Sequence, residues 1–109
     1  VLKLFLMLFT VLSLDSIASE QRGMISEIRV RSSDGLHYFY MTGEQTSREG
    51  TCAAGQAYWM IRDEKSVYGK NQFAMLMMAY AAGRTVLVKG TGSCKRWKDG
   101  EDVNYIVLM

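Results

Sequence analysis

Proline is absent from the 109 residues, histidine occurs once and cysteine only twice. Without proline there is no stiff polyproline spacer, and no low-complexity tract or internal repeat marks a second domain. His37 and two cysteines without a CxxC spacing are too few for a zinc site, which needs about four ligands. Charge of one sign is scarce as well: 13 Lys and Arg stand against 11 Asp and Glu, a net of +2. That excess is too small to point to nucleic acid, which is not an expected partner. The apolar run Leu4–Leu14, broken by Thr10 and Ser13, covers about 11 residues, whereas a membrane-spanning helix needs roughly 20.

That short run has another reading. Lys3, the run itself, and the small residues Ser16 and Ala18 at −3 and −1 make a secretory signal peptide over residues 1–18, cut after Ala18. A membrane anchor and an apolar β-hairpin are the alternatives. Cutting there removes one Lys and one Asp and leaves residues 19–109 as a single domain of roughly 90 residues, with no stable membrane span. The expected location is secreted or periplasmic. A domain of this size buries only about 60–65% of its unfolded surface, so its margin is thin. In an exported chain the pair Cys52 and Cys94 is expected to form a disulfide. Closing a loop of about 43 residues stabilises by roughly 4 kcal/mol through the entropy of the unfolded chain.

Along the mature chain the apolar pattern changes period once. Residues 23–31 alternate, with Met24, Ile28 and Val30 on one face and Glu27, Arg29 and Arg31 on the other, as in a half-buried strand. Ser32–Gly35 is a turn, and the aromatic-rich residues 36–42 form a second strand paired as a hairpin. A polar, glycine-dotted loop carrying Cys52 leads to a third strand at 57–62. There Trp59 and Ile61 share one face, and Tyr58, Met60 and Arg62 the other; bulky groups on both predict that one of the two faces is covered by the helix or a neighbouring subunit. Phe73, Leu76, Met77 and Tyr80 then follow helical spacing, predicting a helix over 70–82 with Ser66 as N-cap and Gly83 ending it. Residues 84–90 form a fourth strand with Val86 and Val88 inward, and Gly90-Thr91-Gly92 suggests a bulge or close backbone approach. A charged loop from Cys94 to Asp102 precedes a fifth strand at 103–108. The fold class is mainly β in the order β-β-β-α-β-β, a small OB-like five-stranded barrel; an open α+β sheet is the alternative.

No catalytic constellation stands out. His37 lies in a strand without a nucleophile or carboxylate partner in the pattern, and Glu44, Glu49, Asp63 and Glu64 lie in loops or at element ends. Asp99-Gly100-Glu101-Asp102 is too short for a calcium loop and reads as a solvated turn. The expectation is therefore a non-enzymatic protein with no catalytic residues, no metal and no cofactor. Lys95-Arg96-Trp97-Lys98 is the most suggestive stretch, since cations around an indole suit a sugar or an anionic group. With Tyr58 and Trp59 these four residues are the candidate contacts. Met75 and Met78 make the helix apolar nearly all round, so a homo-oligomer through the 70–82 helix is expected, with Met-rich core filling as the alternative.

The leader, the element order, the helix ending AYAAGRTVLV and the paired cysteines resemble the B subunits of bacterial AB5 toxins, of the subtilase-cytotoxin and pertussis-like kinds. GTGSCKRWKDGEDVNYIVL is similar to a group of small uncharacterised exported bacterial proteins. The likeness spans roughly residues 23–108 and is one of pattern. It implies an exported OB-fold that assembles as a ring and binds cell-surface glycans; none of the toxins' sugar-contacting residues is carried over to this chain. The expected function is an exported binding module recognising a glycan or cell-surface ligand. The alternative is a periplasmic structural or inhibitor-like protein acting through protein contacts.

Overall fold

A computed structural model describes residues 17–109; the expected leader lies almost wholly outside them. Strand β1 (Glu20–Val30) is the longest and is shared between two partners of the barrel, with a third, short strand at its start. Its first half pairs antiparallel with β5 (Thr85–Gly90), Glu20 opposite Lys89 and Met24 opposite Thr85. Its second half pairs with β2 (His37–Met41), Ile25 opposite Met41 and Val30 opposite His37. β2 pairs with β4 (Tyr58–Met60), β4 runs parallel to β6 (Glu101–Leu108), and β6 returns antiparallel to β5. The five strands close into a barrel in the order β1-β2-β4-β6-β5, which is the OB-like arrangement. Two-residue β3 (Gln45–Thr46) lies on the outer edge of β1, and a short 3-10 turn η1 (Arg48–Gly50) follows it.

The closure depends on a bulge. The β1–β2 register shifts between Ile25 and Glu27, so Ser26 is an extra residue. Before it Gln21 and Ile25 face the core; after it Ile28 does. An unbroken alternation therefore misplaces Met24, which is exposed; Val30 keeps the face of Ile28 and is exposed because the strand ends there. The expected face of β1 is corrected accordingly: inserting one residue swaps the two faces.

Helix α1 (Val67–Ala82) begins three residues earlier than the periodicity suggests, capped by the Ser66 Oγ, which accepts from Gly69 N at 3.0 Å. Gly83 ends it in the left-handed conformation, with φ 62°. The face turned to the barrel is Gly69, Gln72, Leu76 and Ala79, not the predicted Phe73, Leu76, Met77 and Tyr80 stripe. Met77 and Tyr80 are exposed. A helix apolar on nearly every side carries no moment from which its inward face can be read. Leu76 and Ala79 join Ile25, Phe39, Trp59, Ile61, Val86, Val88, Val103 and Ile106 in one core.

Cys52 and Cys94 are joined, their Cα atoms 6.2 Å apart, tying the η1–β4 loop to the β5–β6 loop. The expected bulge at Gly90 is present as a register shift between Lys89 and Gly90. The supposedly solvated turn is not one. Glu101 and Asp102 are both fully buried, and they open β6 beside β4.

Candidate functional site

Alternation along β2 sends Phe39 into the core and leaves Tyr38 and Tyr40 on the outer face. On β4 the same rule buries Trp59 and turns Tyr58 and Met60 outward. Cross-strand register then places Tyr40 opposite Tyr58, and Tyr38 opposite Met60. The three phenol rings form a triangle: centroids lie 6.0 Å apart for Tyr38–Tyr58 and Tyr40–Tyr58, and 6.3 Å for Tyr38–Tyr40. These spacings fall within the range of favourable edge contacts. After the Ser26 bulge β1 sends Arg29 to the same face, its Cζ 5.2 Å from the Tyr40 centroid and 5.8 Å from that of Tyr38. Arg31 stacks on Trp97 of the β5–β6 loop at 4.7 Å. Arg31, Leu36, Tyr38, Tyr40, Tyr58, Met60 and Trp97 line a cleft of about 150 Å³. That is smaller than the roughly 300–1,000 Å³ of a pocket for a drug-sized molecule.

Buried carboxylates hold the surrounding loops. Asp102 accepts from the backbone N–H of Lys95 at 2.8 Å and of Arg96 at 3.3 Å, fixing the stretch just before Trp97. Arg96 clamps the Glu64 carboxylate through Nε at 3.0 Å and Nη2 at 2.8 Å, and Nη2 also reaches the Asp34 carbonyl at 2.8 Å. Three loops, β1–β2, β4–α1 and β5–β6, thus meet at one guanidinium. The pairing holds the Glu64 carboxyl below its ordinary value. Tyr58 donates its hydroxyl hydrogen to Asp99, which also accepts from Gln56 Nε2 at 3.2 Å. Burial and then the Asp99 bond push the Tyr58 phenol up to about 12.

Each arginine of the patch already has a carboxylate: Arg29 with Glu27 at 2.8 Å, Arg31 with Asp34, and Arg96 with Glu64 at 2.8 Å. The face is aromatic with compensated charge, which suits a neutral ring stacked on phenols and indole better than a polyanion. A second cleft of about 280 Å³, lined by Arg62, Tyr68, Thr91, Val103 and Asn104, is larger but offers a single aromatic ring and no comparable cluster.

The structure brings Tyr58 and Trp97 together. Arg96 lies behind them as a clamp, and Lys95 and Lys98 are exposed on the same loop without lining the cleft. Trp59 is corrected to a core residue: it is 0% exposed, its indole N–H donating to Gln21 Oε1 at 2.8 Å. Its neighbour Met60 is covered by the β5–β6 loop, where a Cβ on Gly100 would lie 2.5 Å from the Met60 Cγ. Tyr38, Tyr40, Arg29 and Arg31 were not anticipated. The alternating aromatics of HYFYM were the available signal, but only the β1-β2-β4 pairing puts them beside Trp97. His37 packs its ring edge-on to Phe73 at 4.8 Å.

Fold and surface define a disulfide-linked OB-like barrel with an aromatic outer face. No protein-family model matches the chain, and neither a curated protein nor a solved structure matches it. Among the described residues there is no cluster of three or more His, Cys, Asp or Glu that could hold a metal ion, and no helix long and apolar enough to cross a membrane.

Proposed function

We propose that this chain is an exported, non-enzymatic binding module that holds a glycan or similar cell-surface ligand on the face built by Tyr38, Tyr40, Tyr58 and Trp97. The observation carrying this reading is the convergence of four aromatic rings and two stacked arginines between the β1–β2 and β5–β6 loops. OB barrels use the equivalent surface for oligonucleotides and oligosaccharides. Compensated charge and export both favour the sugar. The apolar face of a pyranose stacks on Tyr or Trp, while its hydroxyls take hydrogen bonds from the flanking arginines. The resemblance to toxin B subunits points the same way, and a disulfide suits an extracytoplasmic protein. A glycan array probed with the wild type and Tyr40→Ala, both checked for folding by near-ultraviolet circular dichroism, tests it. Binding lost in the variant supports the reading; a blank array, or binding that survives Tyr40→Ala, removes it.

A second reading rests on α1. Its outer face exposes Met77, Met78 and Tyr80, and Met24 adjoins its C-terminal end. An apolar helix face of this kind suits association with another subunit or protein partner. Light scattering decides: a discrete ring-sized oligomer supports assembly through α1, and a monomer leaves this face to a different protein.

A further inference from the structure

Ser19 is the first buried residue among the described ones. It is 0% exposed, Ala18 before it is half-buried, and Ile17 is 57% exposed. All its polar groups are engaged. The carbonyl accepts from Gly90 N at 2.9 Å, the Oγ donates to Glu101 Oε1, and the backbone N donates to Glu101 Oε2 at 3.0 Å. Glu101 is 0% exposed and also accepts from Gly92 N at 3.1 Å. Space for the carboxylate exists because residue 90 is glycine: a Cβ there would lie 1.7 Å from Oε2. Among the described residues the charged side chain facing Glu101 is Arg48, whose Nε stands 3.6 Å from Oε1 and is 3.1 Å from the Ser19 Oγ. The nitrogen of Ser19 is thus nearer the carboxylate than the guanidinium is.

We propose that Glu101 is the seat of the chain's own α-ammonium group, freed by cutting between Ala18 and Ser19. The proposal rests on the cut expected from Ser16 and Ala18. A leader-removing endopeptidase hydrolyses the Ala18–Ser19 bond: water supplies the hydroxyl of the new Ala18 carboxylate and the hydrogen of the new amine, which takes up a proton at neutral pH. A neutral amide donor becomes a cationic one without moving, and a charge-assisted hydrogen bond is roughly twice as strong as a neutral one. Glu20 is already paired between β3 and β5, so the bond is reachable only before the barrel closes. Scission comes first and folding then seats the new terminus, so the finished barrel carries a mark of correct processing.

The test uses mature protein exported from the full chain. Mass spectrometry identifies its first residue, and an acylating reagent then measures α-amine reactivity folded and in urea. The expected results are Ser19 at the terminus and labelling at least about tenfold slower in the folded protein, since a buried, paired ammonium offers little free amine. A variant retaining one additional alanine before Ser19 should label readily and melt at lower temperature; Glu101→Gln should also label readily if it folds. A terminus at any other residue, or equal labelling in the folded and unfolded states, overturns the proposal. So does an extended variant with unchanged melting and protection.

Discussion

Replacing Glu101 by alanine isolates the cost of a buried charge. The Arg48 guanidinium is 2% exposed and packs 4.0 Å over the Trp59 ring, with Glu101 its only carboxylate partner among the described residues. Burial already pulls the Arg48 pKa below its ordinary value, and Glu101 offsets this only in part. Removing Glu101 leaves Arg48 with the Ser19 Oγ and the carbonyls of Gln56 and Tyr58, at 3.2 and 2.8 Å, but with no counter-charge. It also strands the N–H groups of Ser19 and Gly92. Breaking a buried pair by deleting one partner costs about 3–5 kcal/mol. A domain of roughly 90 residues holds only about 5–13 kcal/mol, so Glu101→Ala sits near the edge of folding. In a domain this small the melting temperature should fall by at least about 12 °C. Arg48→Met should cost less, because the carboxylate it leaves behind keeps the donors on Ser19 and Gly92. Urea denaturation of both single variants and the double variant completes the cycle, and the double should recover part of the loss. Single-variant losses under about 1 kcal/mol, or additivity within about 0.5 kcal/mol, would mean that Arg48 and Glu101 are not a coupled buried pair.

Other outcomes follow from the same geometry. Cys52→Ser with Cys94→Ser should cost about 4 kcal/mol, read as a lower urea midpoint. Gly90→Ala should destabilise by about 1–3 kcal/mol or more in the same assay, because its Cβ would meet both Glu101 and the Trp59 Cζ3 at 2.8 Å. Absorbance titration should find one phenol with a midpoint of about 12, absent in Tyr58→Phe. Its folded value is raised, so its contribution is complete below the unfolded value near 10 and is lost as pH rises through about 12. The opposite sign holds for the loop clamps. Arg31 pulls Asp34 down to about 2, and Arg96 lowers Glu64, so both contributions are complete above the unfolded carboxylate range and disappear as pH falls through the depressed values. Trp97 fluorescence should therefore report loosening of the loops at strongly acid pH.

Much of the frame was legible because it follows local rules. Val86 and Val88 alternate without interruption, Gly83 stops the helix where its backbone must turn left-handed, and two cysteines have one way to pair. What was hidden depends on long-range partners. Nothing near Ser26 announces that β1 must change faces to serve both β2 and β5. Glu101 and Asp102 read as solvated because their partners, Ser19, Arg48 and the N–H groups of Lys95 and Arg96, meet them only after the barrel closes. The basic loop around Trp97 drew attention to its lysines, whereas the cleft is built from tyrosines on two strands that become neighbours only through the topology.

Whether the aromatic face takes a ring-shaped ligand can be read from the two indole N–H signals in a proton–nitrogen NMR spectrum. Trp59 is sealed in the core on Gln21, and Trp97 lines the cleft. Titration with a glycan retained on the array should shift the Trp97 signal in a saturable manner and leave the Trp59 signal in place. Binding that moves neither signal would place the ligand away from the aromatic face.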